Sequence, residues 1–127
     1  MPARAGRFSD YQINIWLSGL AGSTKYYALF SSDPYLAGTP TAVEMTGTGY
    51  ARLTATESLA GKIVTVTSVL LWTTIPAGST LSHIGAFDAA FNGNLLFAGP
   101  IPGGPRSYPN GGSLQLNANS YHYGIDA

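Results

Sequence analysis

The chain has 127 residues, of which only 9% are charged, and six Lys and Arg balance six Asp and Glu. An ordinary soluble domain carries about 25% charged residues, so this surface is poor in charge and suited to contact with other subunits. The lack of cysteine excludes a disulfide scaffold and thiolate zinc sites. The cations are scattered and no apolar run approaches the ~20 residues of a membrane span, so neither nucleic acid nor a membrane is predicted as a partner.

The N-terminal part of the chain is predicted to be a flexible arm followed by a short helix. The arm is residues 1–7, MPARAGR. The next segment, residues 8–20, fits the periods of a strand and of a helix alike. The helical period is carried by Ile13, Trp16, Leu17 and Leu20. Because Ser9 followed by Gln12 makes a capping-box pattern, the helix is favoured.

From residue 25 onward the apolar residues recur with a period of two, which predicts strands. Strands are expected at residues 25–32, 49–56, 62–76 with a break near 68, 80–89 and 95–101, followed by two short runs near 114 and 122. Residues 91–94, FNGN, are expected to form a hairpin loop, and the Pro- and Gly-rich residues 102–112 a loop that cannot lie inside a sheet. Residues 8–127 are therefore predicted to form one mainly β domain, an antiparallel β-sandwich of the jelly-roll type with one short N-terminal helix.

The polar residues of this sequence do not form a recognisable catalytic set. His83 and Asp88 are five residues apart in a predicted strand, and an odd separation places them on opposite faces. Asp88, Asn92 and Asn94 offer one carboxylate and two amides around the hairpin, fewer oxygens than the six to eight that calcium takes. The sequence therefore predicts a protein that is not an enzyme and that holds no cofactor and no metal.

The aromatic residues, 12% of the chain, are expected to divide between core and surface. Tyr26, Tyr50 and Trp72 lie in predicted strands and are expected to fill the core of the sandwich. Tyr35 and Tyr108 lie in loops among Gly and Pro residues, and they are expected on the surface. An exposed aromatic ring with a polar tip can hold a sugar or anchor an interface, so both uses stay open.

Several turn and core segments resemble those of a known protein family. They are SDP ending at Pro34, GYAR at residues 49–52, and IPAGSTLSHIGAFDAAFNGNLLFAGPI at residues 75–101. These segments resemble a family of small virion proteins of tailed bacteriophages, described as tail-fibre-like or head-decoration proteins. The similarity is loose over residues 9–100, and the proline-rich segment that follows departs from the shorter link common in the family. The resemblance implies a β-sandwich that is a structural part of the particle.

Two functional hypotheses follow from the resemblance and the composition. The leading one is a protein that decorates or cements the capsid, bound as a homotrimer across neighbouring subunits of the major capsid protein. It would lie on the capsid surface of a virion assembled in the cytoplasm of the host bacterium. The alternative is a module of a tail fibre or tail tip that binds other tail components and a host receptor or glycan. A third hypothesis, a secreted lectin-like protein, lacks an export signal to support it.

The residues predicted to contact a partner lie in the arm, at the start of the helix and in the aromatic loops. They are Arg4, Arg7, Phe8, Tyr11, Tyr35, Arg106 and Tyr108. The arm and the helix are expected to reach the capsid. The loop around Tyr108 is expected to contact another subunit or to face outward.

Overall fold

A computed structural model describes residues 8–124, so the predicted arm with Arg4 and Arg7 lies outside the described residues. Within residues 8–124 the protein is mainly β with one α-helix near the N-terminus, which confirms the predicted fold class. The strand pairs are antiparallel. The strands form four small sheets, and the packing of these sheets as a sandwich or jelly roll stays a prediction.

The strands of residues 8–124 are short, and two of them are the centres of three-stranded sheets. In chain order the elements are α1 (Asp10–Ala21), β1 (Tyr26–Phe30), a turn of 3-10 helix (Pro40–Ala42), β2 (Glu57–Ala60), β3 (Ile63–Val66), β4 (Leu70–Ile75), β5 (Ser79–Leu81), β6 (His83–Phe87), β7 (Leu95–Pro100), β8 (Arg106–Tyr108), β9 (Gly112–Leu116) and β10 (His122–Gly124). Strand β6 lies between β1 and β7, and β3 lies between β10 and β2. The pairs β4–β9 and β5–β8 complete the described sheets.

Helix α1 forms as the capping pattern predicts. The Ser9 hydroxyl accepts a hydrogen bond from the backbone N–H of Gln12 at 3.2 Å, which satisfies one of the free donors of the first turn. At the other end, Gly22 is the C-cap and its N–H donates to helix carbonyls. One side of the helix, with Ile13 and Leu17, is buried against Val64 of β3. The prediction of a helix at residues 8–20 is therefore confirmed.

The main core lies between the sheets and is built from the inward side chains of most strands. Its buried members include Tyr27, Leu29, Val66, Leu70, Trp72, Ile75, Leu81, Ile84, Ala86, Ile101, Leu114, Leu116 and Tyr121. Trp72 lies in the core as predicted, whereas Tyr26 and Tyr50 are only half-buried. Tyr27, the next residue of β1, is fully buried, so β1 points Tyr27 rather than Tyr26 into the core.

The expected strand at residues 49–56 is wrong. Only Leu53 of this segment forms a bridge, by two backbone hydrogen bonds of 2.7 and 3.0 Å with Tyr27. The segment begins at Gly49, whose φ of +87° lies outside the extended region, and the chain pairs with β1 at one point. Strand β2 at Glu57–Ala60 was not predicted, because the sequence ESLA lacks β-branched residues.

Two other expectations need correction, and one is confirmed. The single strand expected at residues 80–89 is split at Ser82 into β5 and β6. The segment 102–112 is not only a loop, because it contains β8, which pairs with β5 in a two-stranded sheet. Tyr108 therefore lies in a strand. The break expected near residue 68 is present between β3 and β4.

Candidate assembly surface

Helix α1 is apolar on two opposite sides. At 100° per residue, Tyr11 and Ile15 lie on the side of the helix away from the buried Ile13 and Leu17. The side chains of Tyr11 and Ile15 are 77% and 46% exposed. The helix also contains Gln12, Asn14 and Ser18, but its only charged residue is Asp10, and large apolar side chains exposed together often mark a contact surface. The outer side of α1 is therefore a surface suited to another protein.

Two further aromatic rings adjoin this outer side, with Trp16 on the flank of the helix between the outer and the buried side. The ring of Phe8, just before the N-cap, packs edge-to-face on Trp16 with the ring centroids 4.5 Å apart. Phe8 is 58% exposed and Trp16 is 43% exposed. We call Phe8, Tyr11, Ile15 and Trp16 the α1 face. The pairing of its two rings holds an exposed apolar shape in one conformation, which lowers the entropy lost on binding.

A buried lysine fixes the end of α1 to the sheets. Lys25 is 2% exposed, and its ammonium group donates to the carbonyls of Leu20 and Ser23, the latter at 2.8 Å. Its Nζ also lies 2.6 Å from Oε1 of Glu57 in β2. A cation at the C-terminal end of a helix is favourable because the last carbonyls carry partial negative charge. The ion pair therefore anchors the helix and the β2 edge to one another.

Two tyrosine hydroxyls complete the environment of the Glu57 carboxylate. Tyr27 of β1 donates a hydrogen bond to Oε2, and Tyr123 of β10 donates one to Oε1 at 3.1 Å. Burial, reinforced by the neighbouring carboxylate, raises the pKa of Tyr27 and of Tyr123 above the ordinary value of a phenol. Both hydroxyls therefore stay protonated donors. The Glu57 carboxylate is bonded by Lys25 of the link after α1 and by tyrosines of two strands, so it is part of the framework.

The remaining predicted contact residues are dispersed. Tyr35 is 60% exposed in the loop after β1, as expected, and its neighbour Leu36 is exposed with it. Arg106 is half-buried and donates to the carbonyl of Pro102 at 2.9 Å, so its guanidinium closes its own loop. Tyr108 is half-buried and packs on the main core, which leaves it less available than expected. Only Phe8 and Tyr11 fall on the α1 face.

Sequence reasoning missed the other two members of the α1 face. Trp16 fits the helical spacing of the buried residues Ile13 and Leu17, so the pattern counted it as core. Ile15 fits only the alternating pattern that the helix assignment set aside. Both residues could have been identified from the composition of the whole helix. After Ile13 and Leu17 are assigned to the core, the helix still has more apolar residues than one buried side needs.

The two histidines and Asp88 each have a hydrogen-bond partner within the protein. Nδ1 of His83 lies 2.7 Å from the Ser82 hydroxyl, and Nδ1 of His122 lies 2.9 Å from that of Thr65. Asp88 accepts the N–H and the side-chain amide of Asn94 at 2.8 and 3.0 Å. Residues 8–124 contain no group of three or more His, Cys, Asp and Glu side chains placed to hold a metal ion. In the same residues no helix is long and apolar enough to cross a membrane.

A comparison with protein families gives one match that spans most of the chain. The family described as podophage GP4 fiber I protein gp80 matches residues 13–123. The chain belongs to this Gp80 family of phage fibre proteins. A comparison with curated proteins found no match. The resemblance to tailed-phage virion proteins, inferred from the turn and core segments, is confirmed.

The GYAR segment, one of those that carry the resemblance, has a structural role in the fold through Arg52. Arg52 of GYAR donates to the carbonyls of Ala89 and Asn92, both at 2.8 Å, in the loop after β6. It also makes a two-point contact with the Glu44 carboxylate at 2.7 and 2.9 Å. Its guanidinium lies 3.7 Å above the ring of Phe87. Segments far apart in the chain thus meet at one arginine.

Proposed function

We infer that the chain is a structural protein of a phage virion, because it belongs to the Gp80 family of phage fibre proteins. We propose that it is a non-enzymatic subunit of a tail-associated fibre, and that copies of it associate through the α1 face. The family description favours the fibre over the capsid, although the sequence alone ranks the capsid first. The lack of a recognisable catalytic set in the sequence supports a protein without catalysis.

The observation that carries the proposal is the exposed apolar side of α1. A fully buried aromatic side chain covers about 150–250 Å², so the exposed fractions of the four side chains correspond to about 450 Å² per copy. That value lies in the range of the largest apolar patch of an ordinary monomer, about 300–600 Å², which is often functional. The patch contains no charged side chain, so covering it with a second copy costs little desolvation.

The same estimate limits how tightly isolated subunits bind. A stable protein–protein interface buries about 800 Å² per partner, nearly twice the area of the α1 face. We therefore expect concentration-dependent association of the purified chain rather than a permanent oligomer. The proposed end state is a homotrimer with three chains of 13.3 kDa, or about 40 kDa. In the fibre, contacts from neighbouring components would complete the interface.

Sedimentation velocity of the purified chain over a wide concentration range tests this proposal. The wild type is expected to shift from monomer to trimer as its concentration rises. The double variant Tyr11→Ser with Ile15→Ser removes the centre of the α1 face and is expected to stay monomeric. Both side chains point away from the core, so the variant should keep the unfolding midpoint of the wild type within a few degrees.

The matched control is Leu36→Ser. Leu36 is 86% exposed, more than any member of the α1 face, but it lies in the loop after β1. This variant is expected to associate like the wild type. If the wild type stays monomeric at every concentration, or if the Leu36 variant alone loses association, the α1 face is not the assembly surface.

Decoration of the head is the competing proposal, and a charge-poor surface fits both. The two locations differ in which part of the particle carries the chain. Stained gels of purified heads that lack tails, beside gels of intact virions, separate them. The fibre proposal expects the band in virions and none in tail-free heads. A strong band in tail-free heads would support decoration and overturn the fibre.

A further inference from the structure

A second feature, distant from the α1 face in the chain, is a cleft beside the β6–β7 hairpin loop. One wall is formed by the segment 41–52 and the other by the tip of the hairpin at residues 90–92. Its volume is about 420 Å³, which falls within the ~300–1,000 Å³ range of small-molecule sites. Nothing in the assembly proposed above uses it.

An exposed aromatic ring stands at the lip of this cleft. Phe91 is 86% exposed at the hairpin tip, where Asn92 and Gly93 have φ of +53° and +76° and turn the chain. The turn itself requires residues that tolerate a positive φ, but it does not require an aromatic ring before them. A single exposed apolar side chain is ordinary on a protein surface. Its place among the lining residues of a mainly apolar cleft that also contains a few polar groups is what indicates a ligand.

The two walls of the cleft are held together by the Arg52 bonds. Arg52 joins Glu44 in one wall to the carbonyl of Asn92 in the other. The side chains of Arg52 and Glu44 are 5% and 10% exposed, and the Tyr50 hydroxyl donates to the same carboxylate at 2.7 Å. These bonds lie within the protein itself and hold the walls of the cleft in place. The loop and the segment cannot separate without breaking the hydrogen bonds from Arg52 to the carbonyls of Ala89 and Asn92.

The charges of the cleft select the kind of ligand. Glu44 and Arg52 neutralise one another, so the floor has no net charge and offers an anion or a cation little attraction. The carboxylate has about four acceptor positions, of which Arg52 and Tyr50 use three. Thr46 and Asn92 are among the lining residues, and the hydroxyl of a threonine and the amide of an asparagine can each donate and accept. Neutral hydroxyl groups match such a set.

We propose that this cleft is a binding site for a neutral saccharide. Phe91 stacks on the apolar face of a sugar ring, while Thr46, Asn92 and the free acceptor position of Glu44 bind its hydroxyls. The site is separate from the α1 face, so a single copy of the chain is sufficient for binding. The proposal adds ligand recognition to a subunit whose other surface serves assembly.

Titration of the isotopically labelled chain with neutral monosaccharides, followed by amide NMR shifts, tests the site. The probes are glucose, galactose, mannose, rhamnose and N-acetylglucosamine, each up to about 50 mM, because single sugar rings are expected to bind with Kd near the millimolar range. At least one is expected to shift the amides of Thr46, Phe91 and Asn92. Glucuronate and inorganic phosphate are expected to leave them unchanged.

Variants at the lip separate stacking from nonspecific effects. Phe91→Ala is expected to weaken binding by about three- to tenfold, since an aromatic contact contributes about 0.5–1.5 kcal/mol. Phe91→Trp is expected to keep it, and Leu36→Ala, equally exposed at 86% on another loop, to leave it unchanged. If no sugar shifts these amides, if Phe91→Ala binds like the wild type, or if only the charged probes bind, the proposal is wrong. Association through the α1 face is tested by sedimentation, so the failure of either proposal leaves the other unaffected.

Discussion

Lys25 is the residue at which the helix and the sheets are joined. Its ammonium group meets a helix end and the Glu57 carboxylate in a site that is 1% and 2% exposed on the two side chains. Removing two charges from water is costly, and the mutual attraction offsets this cost only where further hydrogen bonds complete the geometry. Two helix-end carbonyls and two tyrosine hydroxyls supply those bonds here.

Replacing Lys25 by Met is expected to lower the free energy of unfolding by about 3–5 kcal/mol, because the Glu57 carboxylate is left buried without its counter-charge. Urea titration followed by circular dichroism measures the loss. The matched control is Lys62→Met, whose ion pair with Asp10 is 3.3 Å long and largely exposed, and which is expected to cost less than about 1 kcal/mol. Equal losses in the two variants would show that burial of the pair is not what matters.

At the scale of elements, the sequence predicts the helices, turns and strands that depend on neighbouring residues, but not those that depend on a residue far along the chain. The capping pattern at Ser9 and the Asn92–Gly93 turn each act within a few residues, so the helix and the hairpin could be predicted from the sequence. Strand β2 could not, because its polar Glu57 becomes an inward residue only when Lys25 is present opposite it. The cleft walls could not either, because Arg52 reaches a loop 40 residues further along the chain.

The hairpin loop between β6 and β7 depends on ionised Asp88. The backbone N–H and then the side-chain amide of Asn94 donate to its carboxylate, and these bonds lower the pKa of Asp88. A carboxyl with a lowered folded pKa adds stability above its unfolded value of about 3.9 and loses it as the pH falls through the folded pKa. The loop should therefore be tightest at neutral pH and loosen in acid.

An NMR titration of the Asn94 amide measures this dependence. Its resonance is expected to move with an apparent pKa below about 3.9, the ordinary value of an aspartate. The variant Asp88→Asn removes the titrating group and is expected to give a flat curve over the same pH range. A midpoint at or above the ordinary value, or an unchanged titration in the variant, would rule out Asp88 as the group that closes the loop.

At the scale of the whole molecule, the small number of charged residues explains why the composition alone predicted contact with other subunits. With six cations and six anions, and with Lys25, Glu57, Arg52 and Glu44 paired inside, few charges of residues 8–124 are left for the surface. The composition therefore predicted contact between subunits. It could not predict which side is covered, because that depends on which side of α1 the sheets bury.

The salt dependence of association follows from the same balance. Raising NaCl from about 0.05 to about 1 M is expected to change the association constant of the purified chain by less than about threefold, because the α1 face has no charge to screen. Ammonium sulfate is expected to strengthen association, since it favours burial of apolar surface. Light scattering at fixed protein concentration measures both. A steep loss of association in NaCl would point to an interface built on ion pairs elsewhere.

The proposed place of this chain in a fibre gives the Lys25 junction a mechanical consequence. A tensile load applied to α1 by a neighbour passes along the backbone of the link at residues 22–25. It also passes through the ammonium group of Lys25, which donates a hydrogen bond to the helix carbonyl of Leu20. From there it passes into Glu57 and on to the hydroxyls of Tyr27 and Tyr123, which belong to two other strands. We therefore expect α1 to detach only when the Lys25–Glu57 ion pair and the tyrosine hydrogen bonds of Glu57 break with it.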